Sequence, residues 1–441
     1  MPEVHNTAYA MRRLTDPEVY AAYIDTIQRG GTDFFLQDYP SFTERLFRKL
    51  RQFGKITAQN NDDAVKELRR KVRESRLVRK EGVKLDFLGS WLNGKVSPHL
   101  SSSPETRTNT YKLAAALELN YEQTVILFEK ILFAPSFYLR RKEEFLYYAF
   151  IRYRDNEEVT WYTSANRLFN RLQQEKQAAK EPEVLPTLLV REELEKIAQN
   201  DEKLCQYIRN NWSDFDCKTN EMMTARDTIA TVLLPECAVN IIAEIRKNES
   251  PPDCDPRFSR SELGENFPPD SEGIRTAVTD HTLACNDTVI DGIIGYRQRV
   301  CERPIAKIST LPKEITFCFP TGAILGKILN KEEPSMRQVV KCYKLLLFYY
   351  IFSTPGLFKM TDSNNQEEIR KQRFDAFREL HRLTCPGGYQ LPDRGETSML
   401  AYNPEDPYDR LFLFSALQPD PINTLRSIIR SAVLADDKSK A

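Results

Sequence analysis

Apolar residues recur at intervals of three and four along most of the chain, which is the pattern of amphipathic α-helices. One apolar face, formed by Val125, Phe128 and Leu132, begins just after Asn120, a residue type that caps helix N-termini. The long segment after Ser335 is apolar on nearly all sides of a helix, as expected for a helix in the centre of a core. We therefore predict a helix that starts near Asn120 and a central C-terminal helix that starts after Ser335.

Patterns typical of β-strands are rare in the chain. The main candidate for a strand is the run 315–319, and only 16 of the 441 residues are glycine. We predict a mainly α fold, with an N-terminal helical domain followed by one or more larger helical domains. Proline-rich and charged stretches mark the expected boundaries. The predicted segments are a basic domain at 1–155, a central helical region at 156–250, a proline-rich linker at 251–274 and a C-terminal helical domain at 275–441.

Positive charge is concentrated in one part of a chain whose formal net charge is zero. Basic and acidic residues number 63 each, which excludes a uniformly basic nucleic-acid-binding surface. Between Arg45 and Lys112, however, there are 17 basic and 7 acidic residues, and eight of the basic ones fall within 66–80. We predict a helix over 66–80 with a positive face that suits a phosphate backbone. The alternative is a solvated helix, or a face that docks on acidic parts of the same chain.

Two further helices are predicted directly after the basic one. Gly82 interrupts the helical pattern, and a short amphipathic segment follows at 85–93. The next helix should begin at Ser102, which has capping-box spacing to Glu105. The apolar side of the short helix consists of Leu88, Trp91 and Leu92, which we expect to pack against Leu113, Leu117 and Phe128.

The runs GVKLDFLGSWLNGKVSP and TYKLAAALELNYEQ resemble the turn, recognition helix and following helices of the lambda-repressor-like (Xre-type) helix-turn-helix family. The resemblance covers residues 41–132, so that 1–155 would be a helix-turn-helix-like domain. It implies binding to DNA, with the second helix in the major groove. The side chains implied to face the groove are Lys84, Asp86, Ser90 and Asn93, and those implied to contact phosphates are Arg69, Arg70, Arg73, Lys95 and Arg107.

The recognition helix departs from the family in one respect. Family members usually begin this helix with polar residues, whereas this chain has Leu85, Asp86, Phe87 and Gly89 there. Such side chains offer few bidentate contacts to bases. A role in binding RNA or protein, or a purely structural role, therefore stays open for this domain.

The end of the chain, LAYNPEDPYDRLFLFSALQPDPINTLRSII, resembles the C-terminal part of bacterial proteins that begin with a helix-turn-helix-like unit. No activity follows from that resemblance. Asp409 is placed to cap the apolar helix after Tyr408, and Asp420 between two prolines should open a last helix. We expect this segment to close the C-terminal core.

Motifs for catalysis are weak. The run 322–327 has three residues rather than four between its glycines, which predicts helix packing rather than a phosphate loop. Arg275 and His281 have the spacing of a motif in certain helical ribonucleases, but this spacing also arises by chance in a chain of this composition. His281 and Cys285 lie four residues apart on the helix predicted there, and two ligands do not make a metal site. We predict no metal and no cofactor, and a non-enzymatic protein is favoured.

Targeting signals are not predicted either. The first 13 residues lack an apolar core, and the longest apolar run, 345–352, is far shorter than a membrane span requires. The nine cysteines are odd in number and contain no CxxC pair, which predicts reduced thiols in a cytoplasmic protein.

The function favoured by the sequence is that of a bacterial, DNA-binding regulator. DNA would be its partner, and the C-terminal helices would sense a ligand or bind a second copy or another protein. The first alternative is a non-enzymatic interaction protein, such as an accessory of a defence system or mobile element. The second alternative is a helical ribonuclease that uses Arg275 and His281.

Overall fold

The computed structural model describes most of the chain as helix. The described residues are 25, 40–100, 103–134, 136–139, 141–154, 158–174, 187–212, 215, 225–247, 267–281, 285–295, 305–317, 319–330, 332, 335–357, 365–383, 402 and 406–440. Helices account for 74% of the structure, and the described residues contain no strand. The mainly α class predicted from the sequence is therefore confirmed.

Nineteen α-helices lie in the described part of the chain. The first ten are α1 (Phe42–Gln52), α2 (Asn61–Glu74), α3 (Arg76–Arg79), α4 (Phe87–Leu92), α5 (Pro104–Ala116), α6 (Tyr121–Ile126), α7 (Lys142–Tyr153), α8 (Trp161–Gln173), α9 (Thr187–Ile197) and α10 (Asp201–Asn210). The other nine are α11 (Leu234–Lys247), α12 (Ser271–Thr279), α13 (Asn286–Ile294), α14 (Lys313–Thr316), α15 (Gly322–Leu329), α16 (Met336–Ser353), α17 (Gln366–Leu383), α18 (Pro407–Ala416) and α19 (Pro421–Lys440). Two π-helical stretches, Leu127–Leu132 and Ile229–Leu233, follow α6 and precede α11.

These helices form two compact units, with α1–α10 in the first and α11–α19 in the second. The division differs from the segments predicted from the sequence. The core of the first unit is continuous from Phe42 to Phe215, so a boundary at 155 would cut through it. α11 was assigned to the central region 156–250, yet it packs against α12, α13 and α16 in the second unit. Within the predicted linker, 251–266 lies outside the described residues.

α16 is the central helix of the second unit. A capping box between Ser335 and Gln338 closes its N-terminus, which confirms the predicted start of this helix. Leu345, Leu346 and Leu347 are fully buried. The helices that pack against α16 are α11, α15, α17, α18 and α19. Its apolar circumference is therefore explained by neighbours on several sides.

A chain of alternating buried charges joins α16 to the start of α18. Nζ of Lys341 donates to Oδ2 of Asp406 at 2.5 Å and to Oδ1 of Asp409 at 2.9 Å. Nζ of Lys344 donates to the other oxygen of Asp409 at 2.6 Å, and Arg337 lies 3.8 Å from Asp406. All five side chains are buried. Desolvation lowers the pKa of Lys344, and the opposing attraction of Asp409 only partly offsets it.

This charge network corrects the prediction for Asp409. The side chain that caps α18 is Asp406, whose Oδ1 accepts the backbone N–H of Tyr408. Asp409 lies inside the first turn and points to the lysines of α16. The sequence shows two acids near the start of the helix, but only the position of α16 decides which of them caps. By contrast, Asp420 caps α19 as predicted, by accepting the N–H of Asn423.

The run 315–319 is not a strand. Residues Lys313–Thr316 form a helical turn, in which the N–H groups of Thr316 and Phe317 donate to the carbonyls of Pro312 and Lys313. The prediction failed because an apolar run of five residues fits a strand and a short buried helix equally well.

The run 322–327 lies at the start of α15. Its first glycine, Gly322, allows close helix packing, as predicted. A Cβ atom at Gly322 would lie 2.2 Å from Oδ1 of Asp287 on α13. The two helices can approach this closely only because residue 322 has no side chain.

One helix in the described residues, 225–247, is long and apolar enough to cross a bilayer by length and composition. Of its apolar window, 61% is buried within the second unit, as for the core helix of a folded domain. A search for uninterrupted apolar runs misses this helix because Pro235 and Glu236 interrupt it.

We expect Asp409→Asn to lower the free energy of unfolding by about 3 kcal/mol or more, because it leaves two buried ammonium groups short of negative charge. Thermal or urea unfolding of the full chain measures this loss. Asp420→Asn is the matched control, since Asp420 is exposed and asparagine is an equally good cap. Equal stability of the two variants would contradict the importance assigned to the buried network.

Candidate nucleic-acid-binding surface

The helix α2 presents a different chemistry on each of its sides. Ala64, Leu68 and Val72 follow one another at intervals of four and are buried in the first unit. Arg69 and Arg73 lie one position further on, about 100° around the helix, and both are exposed. Neither makes an ion pair with a described acid. Their guanidinium groups therefore form a positive flank on α2.

Two acidic residues of α2, Glu67 and Glu74, are engaged by other groups. Glu67 accepts the backbone N–H groups of Thr57 and Ala58, each at 2.9 Å, and these bonds lower the pKa of Glu67. Glu74 accepts from Arg70 at 3.0 Å. Of the three predicted phosphate-binding arginines on this helix, Arg70 is thus paired and exposed, whereas Arg69 and Arg73 have no acidic partner among the described residues.

The single helix predicted over 66–80 is divided into two. α2 ends at Glu74, and Ser75 adopts an extended backbone conformation between α2 and α3. The Ser75 hydroxyl donates to the carbonyl of Val72 at 2.6 Å and accepts the N–H of Val78. One serine therefore caps the end of one helix and the start of the next, a use that charge counting could not reveal. Arg79 and Lys80 are exposed at the end of α3.

α3 and α4, the helices on either side of the predicted turn, are joined by residues 80–86. Gly82 has φ +72°, a left-handed conformation that glycine adopts without strain. α4 begins at Phe87, two residues later than predicted, and Asp86 precedes it without making a side-chain cap. After α4, Oδ1 of Asn93 accepts the N–H of Lys95.

The apolar side of α4 is buried as predicted. Leu88, Trp91 and Leu92 are each less than a tenth exposed. The rings in contact with Trp91 are Phe42 on α1, edge to face with centroids 5.9 Å apart, and Phe87 at 4.5 Å. The residues Leu113, Leu117 and Phe128 belong to the same core. α4 is thus anchored to α1 by an aromatic pair.

Glu81, which lies between α3 and α4, accepts hydrogen bonds from the start of α8. Its carboxylate accepts the backbone N–H of Thr160 at 2.8 Å, the Thr160 hydroxyl at 2.6 Å and the Thr163 hydroxyl. Burial opposes ionisation of Glu81, but these hydrogen bonds outweigh it and lower the pKa of Glu81. This contact joins residues about 80 positions apart, so no local sequence pattern predicts it.

Arg107 does not lie on the surface, which corrects its assignment as a phosphate contact. The side chain is buried, and its guanidinium donates to both oxygens of Glu144 on α7, at 2.7 and 2.5 Å, and to the carbonyl of Ser136. The ring of Tyr138 lies 3.8 Å from the guanidinium carbon. Because α5 is covered on most sides, a basic residue there faces the core. A guanidinium buried in this ion pair is not accessible to a phosphate.

The start of α5 also differs by one residue from the prediction. Its cap is Ser103, whose hydroxyl accepts the N–H of Thr106 at 3.1 Å, and Pro104 is the first helical residue. The predicted cap, Ser102, lies outside the described residues.

The remaining predicted site residues lie at or near the surface of the first unit. Ser90 is half-buried, and its hydroxyl donates to the carbonyl of Phe87 at 2.7 Å. The exposed ones are Arg69, Arg70, Arg73, Lys84, Asp86, Asn93 and Lys95. Exposed cations that have no acidic partner among the described residues and were not assigned from the sequence include Arg48, Arg79 and Lys80.

Arg275, one of the two residues named for a helical ribonuclease, is paired with two carboxylates. Nε of Arg275 donates to Glu236 at 2.6 Å, and the same side chain pairs with Glu272. His281 follows the end of α12 with φ +58°, and Cys285 precedes α13. The expected i, i+4 arrangement of His281 and Cys285 on one helix is therefore wrong. Among the described residues no group of three His, Cys, Asp or Glu side chains could hold a metal ion.

Comparison with known proteins finds no family model, no curated protein and no solved structure that matches the chain.

We expect Trp91→Ala to lower the free energy of unfolding by about 3–5 kcal/mol, because it removes the aromatic anchor between α4 and α1. Chemical denaturation followed by circular dichroism measures this loss. Trp212, which is only half-buried, provides the control variant Trp212→Ala with a smaller loss. A cost below about 1 kcal/mol for Trp91→Ala would contradict the burial described here.

We expect Glu81→Gln to destabilise the chain by about 1–2 kcal/mol at neutral pH, because the charged acceptor of three hydrogen bonds is lost. A lowered folded-state pKa stabilises the fold above the ordinary pKa of 4.5 and ceases to do so as the pH falls through the folded value. The difference between variant and parent should therefore shrink below pH 4.5 in denaturant titrations. Glu74→Gln, at an exposed ion pair, should change stability little. A pH-independent difference would contradict this role for Glu81.

Proposed function

We propose that the first unit binds DNA through the surface around α2, α3 and α4, as part of a cytoplasmic, regulatory protein of a bacterial cell. The observation that carries this proposal is a set of exposed cations without acidic partners in the described structure. The cations of this set are Arg69, Arg73, Arg79, Lys80, Lys84 and Lys95. Unpaired surface cations attract phosphates, and the release of counterions from DNA makes such binding favourable.

The rigidity of this surface supports the same proposal. α4 is anchored by Trp91, and the turn before it is held by Glu81. Cations on a rigid support meet a regular array of phosphates at a lower entropic cost than cations on a flexible tail. The second unit would then sense a ligand or bind a second copy of the chain.

We expect the DNA affinity of the full chain to fall steeply with salt, and Arg69→Ala/Arg73→Ala to reduce the slope of log K against log salt by about 2. Fluorescence anisotropy with a labelled duplex over a salt series measures the slope. The control is Lys196→Ala/Lys203→Ala, which removes two exposed cations of the same unit from α9 and α10.

The slope of the control should equal that of the parent protein. If both double variants lower the slope equally, binding is a property of net charge rather than of this surface. If the parent binds no duplex, the proposal fails, and a protein-docking use of the helix-turn-helix arrangement is favoured instead.

A further inference from the structure

Gly89, in the middle of the recognition helix α4, serves no purpose within the chain. Its backbone is helical and lies outside the left-handed region that requires glycine. A Cβ atom at this position would meet no other atom within 4 Å. In a helix interior, glycine is about 1 kcal/mol less favourable than alanine. α4 therefore carries a destabilising residue that neither its backbone nor its packing needs.

Gly89 lies at the edge of the exposed side of α4 and is itself partly exposed. With Leu88, Trp91 and Leu92 buried, the helical repeat places Asp86 and Asn93 outward, and Gly89 lies between the buried and outward sides. Ser90, the other small residue here, turns its hydroxyl back to the carbonyl of Phe87. The middle of α4 thus presents a low surface with no long side chain.

Cations lie before and after this low surface in the sequence. Lys84 precedes α4 and Lys95 follows it, and neither pairs with an acid among the described residues. The outward polar groups are a single carboxylate and the Asn93 amide, whose oxygen already accepts the N–H of Lys95. Specific base recognition usually needs an Arg, Lys, Asn or Gln aimed at base edges from the body of the helix. α4 has none between Phe87 and Leu92.

We propose that α4 lies flat against the backbone of duplex DNA at Gly89, and that the first unit binds duplexes by their shape and charge, independently of base sequence. Glycine is the residue that permits close approach of a protein backbone to a ligand. This inference rests on the proposed DNA-binding function and deepens it: the partner is any B-form duplex rather than one operator sequence.

The first experiment measures the affinity of the full chain for several labelled DNA duplexes of equal length and unrelated sequence at one salt concentration. We expect affinities that agree within about threefold, because a single good base contact would already give a preference of roughly fivefold or more. A duplex that binds more than roughly fivefold more tightly than the others would overturn the inference, because it would show that a base is read. Tighter binding of single strands or of duplex RNA would overturn it as well.

The second experiment tests Gly89 itself. Gly89→Ala should raise the melting temperature, yet weaken binding to every duplex by about fivefold or more, because a methyl group at the contact lengthens several phosphate contacts at once. Gly326→Ala on α15 is the matched control, because a Cβ atom at this helical glycine would make only an ordinary contact, at 3.6 Å. The control should not change DNA affinity.

Asp86→Asn separates backbone binding from base reading. If Asp86 only repels phosphates, the variant strengthens binding to all duplexes equally. If Asp86 reads a base, the variant changes the order of affinity among the duplexes, which would overturn the inference.

Unchanged DNA affinity of the Gly89→Ala variant, with binding by the parent protein intact, would also overturn the inference while leaving the proposed function in place. Absence of binding by the parent protein would instead remove the proposed function.

Discussion

The buried ion pair between Arg107 and Glu144 is the interaction on which the first unit depends. A charge removed from water costs several kcal/mol unless a partner and further hydrogen bonds compensate it. Here both oxygens of Glu144 are used by Arg107, one of them also accepts from the Tyr111 hydroxyl at 2.8 Å, and the Ser136 carbonyl accepts from Arg107. The pair can exist only if α5 and α7 are held together. α3, α4 and the helices after them belong to one core.

The second unit also contains buried charges that pair with one another, and its network is longer. Lys341 and Lys344 on α16 alternate with Asp406 and Asp409 at the start of α18. In both units, helices distant in sequence are joined by ionised groups that satisfy one another away from water. Apolar surface holds these helices together without specifying their register, whereas a buried ion pair tolerates few relative positions.

Features determined by local rules were predictable from the sequence. The caps at Asn120 and Ser335 and the burial of Trp91 depend on spacings within a few residues, and all three are found in the structure. Features determined by distant contacts were not predictable. Whether Arg107 faces water or Glu144, and whether Asp409 caps a helix or pairs with lysines, depends on elements 37 and more than 60 positions away. The exposure of the cations on α2 and beside α4 agrees with the sequence, because exposed cations need no partner.

Three acids near the positive surface of the first unit are engaged by partners other than its unpaired cations. Glu67 binds the backbone before α2, Glu81 binds the start of α8, and Glu74 pairs with Arg70. These carboxylates are satisfied by backbone N–H groups, hydroxyls or a single arginine, so most of the outward cations lack an acidic neighbour. The hydrogen bonds that lower the pKa values of Glu67 and Glu81 favour the ionised form of both. An excess of positive charge that the fold itself does not neutralise is what a polyanion can use.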